Sequence, residues 1–108
     1  MTGKPVFLFP QAELDIREAI RHYQQEGGVN LAGKWVEAVE SGLRHIGTHP
    51  GTGSSRYAMV LKLVGLRFWP VKRFPQLIFY VEREGQVDVW RVLHGQQDLP
   101  EWIREPLP

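Results

Sequence analysis

The chain has 108 residues, 43% apolar and 23% charged, with a formal net charge of +1. That length fits one domain over 1–108 and argues against a large two-domain enzyme with a deep cofactor cleft between its domains. There are no cysteines, so disulfides, thiolate metal sites and cysteine nucleophiles are excluded.

The first apolar run, Val6–Phe9, is too short for the core of a signal peptide. Nothing approaches the roughly 20 apolar residues of a membrane span. These features lead us to expect a cytoplasmic protein that does not enter a membrane. Phe7–Phe9 can form a short first strand.

Gln11–Glu26 has the period of a helix. Ala12, Ile16, Ala19, Ile20 and Tyr23 make one apolar stripe. Pro10 stands at its start, and Gly27-Gly28 ends it, because glycine enters the left-handed cap without strain. A second helix is expected from Asn30 to about Gly47, with Leu31, Trp35, Val39, Leu43 and Ile46 as its stripe. The link between the helices is short, so they should form an αα-hairpin. The charges outside the stripes, including Glu13, Asp15, Glu18 and Arg44, read as a solvated surface.

Thr48–Ser55 is a Gly/Pro/Ser loop. After it the apolar runs shorten to strand length. Strands are expected at Tyr57–Leu63, Leu66–Arg73, Leu77–Arg83 and Val87–Leu93, with turns at Val64-Gly65 and Glu84-Gly85-Gln86. Pro70 implies an edge, a bulge or a bend in its strand. Glu101–Arg104 can form a final helical turn. Helices followed by strands indicate an α+β fold, with the hairpin packed on a small antiparallel sheet. Of the four tryptophans, Trp35 and one other should be buried.

The charge is unevenly placed. Arg56–Arg73 contains Arg56, Lys62, Arg67, Lys72 and Arg73 and no acid. Such a stretch favours an acidic partner, or it guards strand edges. If Pro70 leaves the register intact, Arg67, Trp69 and Arg73 share one strand face. With Arg56, Arg91, Trp90 and Trp102 they make the available set of partner-binding anchors, since exposed aromatics and arginines dominate interface energies.

Catalytic signals are sparse. His22, His45, His49 and His94 show no helical metal-pair spacing, so no metal and no cofactor is expected. No nucleophile elbow surrounds Ser41, Ser54 or Ser55. Metal-free RNA cleavage is the one chemistry left open. His94, with Tyr57 or Tyr80, could move protons, and Arg67, Arg73 and Arg91 could hold phosphate. His94 can equally hold a turn, with Asp98 as the carboxylate nearest to it in sequence.

In order, the chain carries a helical hairpin, a Pro-Gly loop, Arg56, Gly65-Leu-Arg67, Val71-Lys-Arg-Phe-Pro75 and Ile78-Phe-Tyr80. Arg91-Val-Leu-His-Gly95, Asp98 and Pro100-x-Trp102 close it. That order resembles the ParE branch of the ParE/RelE toxin superfamily, from about Pro10 to Trp102. The resemblance implies a compact αα-hairpin on an antiparallel sheet. It implies a toxin that blocks DNA gyrase and is neutralised by a ParD-like antitoxin, which carries the DNA-binding part of the pair. RelE-like relatives instead cut messenger RNA in the ribosome, and a non-toxic antitoxin-binding relative is a third possibility. His94, Gly95 and Asp98 match the family framework. The chain departs from the usual ending at Gln97, where the family carries a basic residue, and so has one cation fewer there.

Overall fold

The computed structural model describes residues 3–95. Strand β1 (Val6–Leu8) leads into helix α1 (Pro10–Thr48), a 3-10 turn (Pro50–Thr52) and the short helix α2 (Ala58–Leu61). Strands β2 (Leu66–Pro70), β3 (Gln76–Glu82) and β4 (Val87–His94) follow.

α1 is broken at its glycines. Gly27 (φ −147°, ψ 16°) and Gly28 (φ 79°, ψ −167°) leave the helical region, and Gly28 takes the left-handed φ that other residues resist. The chain doubles back there. Tyr23 and Trp35 stack with ring centroids 6.1 Å apart, where a straight helix would separate them by about 18 Å. α1 is therefore the expected αα-hairpin, with arms over 10–26 and 29–48. Its second arm resumes immediately after Gly28, slightly before Asn30.

The strand order is β1-β4-β3-β2. β2, β3 and β4 are antiparallel, as expected. β1 lies parallel to β4, with Val6 opposite Val87 and Leu8 opposite Val89, so the sheet is mixed. The hairpin covers one face. Ala12, Trp35, Val39 and Ile46 pack there against Ile78, Tyr80, Val87, Val89 and Val92. On the second face Leu66, Phe79, Val81, Trp90 and Leu93 lie under Phe9, Tyr57, Leu61, Leu63 and Phe68. Trp35 and Trp90 are the buried tryptophans among the described residues.

Two strand expectations need correction. Tyr57–Leu63 is not a strand. Ala58–Leu61 forms one helical turn, closed by Lys62 in the left-handed conformation (φ 55°). The Leu63 N–H bonds the Ala58 carbonyl at 2.9 Å, as in a Schellman closure. Ala58, Met59 and Leu61 are good helix formers, and the segment's apolar content concealed its lack of alternation. The strand expected over Leu66–Arg73 stops at Pro70. The Val71 N–H bonds the Gln76 carbonyl and the Phe74 N–H bonds the Val71 carbonyl, which closes a turn with Arg73 at φ 72°. The expected turn at Glu101–Arg104 lies outside the described residues.

Asp15 also departs from the solvated surface assigned to it. Its carboxylate accepts from Arg91 Nε at 2.9 Å, Arg91 Nη2 at 3.1 Å and the Val92 N–H at 2.9 Å. A bulge where Phe79 and Tyr80 meet β4 leaves that N–H free of the ladder. The pair clamps the first arm onto β4.

Candidate interaction surfaces

The acid-free stretch reaches the surface largely unneutralised. Among the described residues the ion pairs are Lys4–Glu82, Arg83–Asp88 and Arg91–Asp15, none of which uses a cation from 56–73. Arg56, Lys62, Lys72 and Arg73 are exposed. The Arg56 guanidinium lies 5.6 Å from the centre of the Tyr57 ring.

Arg67 and Trp69 share the helix-side face of β2, as alternation requires. Arg73 does not join them, because it sits in the turn beyond Pro70. Arg67 Nη1 donates to the Gly53 carbonyl at 2.7 Å, which fastens the Pro-Gly loop. Trp69 stacks on His45 with centroids 3.9 Å apart. The two line a groove of about 470 Å³ with Ala38, Ser41, Gly42 and Lys72. A Cβ on Gly42 would fall 2.9 Å from Ile78 Cδ1, so the bare backbone lets the second arm reach the sheet.

Tyr80 is fully buried. Its hydroxyl donates to the Pro50 carbonyl at 2.7 Å and accepts from the Gly53 N–H at 3.1 Å. Burial pushes the phenol above its ordinary value of 10.0, partly offset by the Gly53 hydrogen bond and the Arg67 charge. Tyr57 packs against Phe68 and Phe79 on the second face. Both tyrosines therefore have packing roles.

His94 ends β4 opposite Gln76. It lines a cleft of about 370 Å³ with Asp15, Glu18, His22, Tyr23 and Gln76. None of Arg67, Arg73 and Arg91 lines that cleft. Arg91 is held by Asp15, and Arg67 by the loop. Of the four residues considered for RNA cleavage, only His94 lines this cleft, and Arg91 is tied to its Asp15 wall. Asp98 and Trp102 lie outside the described residues.

Sequence reading missed a further surface at β1. The Val87 N–H bonds the Pro5 carbonyl and the Phe9 N–H bonds the Val89 carbonyl, so odd-numbered residues face β4. The N–H and C=O of Val6 and Leu8 point away from the sheet and have no partner among the described residues. Beside them lies an apolar groove of about 350 Å³ lined by Val6, Leu43, Arg44 and Gly47. The opposite edge is closed. Phe68 exchanges both backbone bonds with Ser54, and Pro70 has no donor. No sequence signal marks this difference, because it depends on which strands end at the edges.

The described residues contain no helix long and apolar enough to cross a membrane. The family model described as "ParE toxin of type II toxin-antitoxin system, parDE" matches residues 6–99. A chain of the solved structure titled "Chromosomal ParDE TA system from P. aeruginosa" is similar in fold, with a TM-score of 0.71 and 16% sequence identity. The match covers 84% of this chain and 95% of that one. No protein of curated function matches it.

Proposed function

The chain belongs to the ParE toxin family of type II toxin–antitoxin systems, and on that premise we propose that it inhibits DNA gyrase by binding. A ParD-like antitoxin neutralises it, and both act in the cytoplasm. The solved relative is titled as a ParDE system, which supports a paired antitoxin. Inhibition by contact is favoured over RNA cleavage because Arg91 and Arg67 are engaged within the fold.

The observation that carries the partner reading is the open β1 edge beside the Leu43 groove. A partner chain can add a strand there. Backbone bonds to Val6 and Leu8 would supply affinity, and one apolar side chain in the groove would supply specificity. Arg44 at the rim favours an acidic residue next to it.

Amide hydrogen exchange with the neighbouring-gene product tests this reading. Binding should protect the Val6 and Leu8 amides, which are free in the isolated toxin, and should raise its melting temperature. The Phe9 amide is already bonded and should change little. Unchanged exchange at Val6 and Leu8 in a formed complex would place the partner elsewhere.

A further inference from the structure

We propose that the outward side of residues 59–64 is the surface with which this toxin grips its target, a protein with an acidic rim around an apolar depression. The inference rests on the toxin reading above and adds the site of target contact to it.

α2 is one turn long and faces two ways. Leu61 and Leu63 pack inward on the second face of the sheet. Met59, Val60 and Val64 point out, 86%, 65% and 97% exposed. Three large apolar side chains within six residues and left to water mark a contact surface, whereas single exposed ones need no explanation. The fold also fixes the display. The left-handed Lys62 and Gly65 (φ 86°) close the turn on both sides of Val64, so the knob is held before any partner arrives.

Charge selects the partner. Arg56 precedes the knob and Lys62 lies within it, the stretch from 56 to 73 contains no acid, and neither cation has an ion-pair partner among the described residues. An acidic rim on the partner would satisfy both. Nucleic acid suits the site poorly, because unbranched and branched aliphatic tips offer no ring on which bases stack. A membrane suits it poorly as well, because two side chains on a four-residue helix and Val64 beyond its end give little insertable area. The knob precedes β2, whereas the open strand edge belongs to β1 at the other side of the sheet. Target contact and strand addition therefore use different surfaces.

The test is the triple variant Met59→Ser/Val60→Ser/Val64→Ser in the full chain. Near-ultraviolet circular dichroism and melting temperature should match the wild type, since these side chains are exposed. Induced expression should no longer arrest growth, and half-inhibition of gyrase should need about tenfold more protein or worse. Arg56→Glu/Lys62→Glu should weaken inhibition too. Val29→Ser, which removes an equally exposed valine at the hairpin tip (78%), should change nothing.

A folded serine variant that arrests growth like the wild type would overturn the proposal. So would one that stays toxic and loses only self-association or adsorption to phosphatidylglycerol vesicles. If the wild type arrests growth without affecting gyrase, the gyrase reading fails and the growth comparison still decides the knob. If the wild type does not arrest growth at all, both fall together.

Discussion

The indole Nε1 of Trp35 donates to Gln76 Oε1 at 2.9 Å, and the Gln76 amide donates to the Tyr23 hydroxyl at 3.2 Å. One side chain at the start of β3 thus binds both arms of the helical hairpin. Gln76 is 8% exposed and Trp35 is fully buried, so water cannot take over these bonds. Gln76→Ala should cost about 1–3 kcal/mol by leaving a buried indole N–H unpaired. Combined with Trp35→Phe it should cost less than the two changes summed. Urea unfolding of the single and double variants measures both quantities.

The Asp15–Arg91 clamp gives a graded series. Side-chain exposure is 8% for Asp15 and 20% for Arg91, so Arg91→Ala strands a buried carboxylate and should cost about 3 kcal/mol. Asp15→Asn keeps an acceptor for the Val92 N–H and should cost less. Equal losses in thermal unfolding would show that Val92 contributes nothing to the clamp.

Tyr80 predicts an alkaline limit. Burial raises its pKa above 10.0, so the folded state holds the phenol proton more tightly than the unfolded chain. The resulting stability is fully present below about pH 10 and is lost as pH rises through the folded value. Tyr80→Phe should remove that alkaline component. At neutral pH it should cost about 1–3 kcal/mol, because the Pro50 carbonyl and Gly53 N–H lose their partner. Gly53→Ala should disturb the same joint, since a Cβ there would collide with the Tyr80 hydroxyl. Stability profiles of the three proteins between pH 7 and about 11 check the sign.

Val6→Pro tests the open edge without touching a ladder bond. The Val6 N–H faces away from β4, where proline is tolerated. Folding should therefore survive while antitoxin affinity falls by about tenfold. Titration calorimetry with the neighbouring-gene product reads the loss, and unaltered affinity would rule out strand addition at β1.

Features set by local chemistry were legible from sequence. Gly27-Gly28 announced the hairpin turn, and the stripe from Leu31 to Ile46 announced the buried face of the second arm. Alternation placed Arg67 and Trp69 together. What failed was non-local or lacked a period. Asp15 looks like any helix-surface acid until the bulge in β4 brings Arg91 and the Val92 N–H to it. Gln76 shows no sign of joining Tyr23 to Trp35. Tyr57–Leu63 is apolar enough for a strand, and only its closing bonds at Lys62 and Leu63 show one helical turn. The pairing of β1 with β4, and hence the open edge, depends on strand order that three residues cannot reveal. The anchors chosen for arginine and tryptophan content differ among the described residues: Arg67, Arg91 and the buried Trp90 are engaged within the fold, while Arg56, Arg73 and the groove-lining Trp69 reach the surface.

The most direct measurement is DNA supercoiling by purified gyrase, titrated with this protein alone and with its neighbouring-gene product. Inhibition is expected near stoichiometric toxin, with recovery when the partner is added. Unaffected supercoiling at an excess of folded protein would contradict it. Discrete cuts in messenger RNA on translating ribosomes would then assign the fold to RNA cleavage.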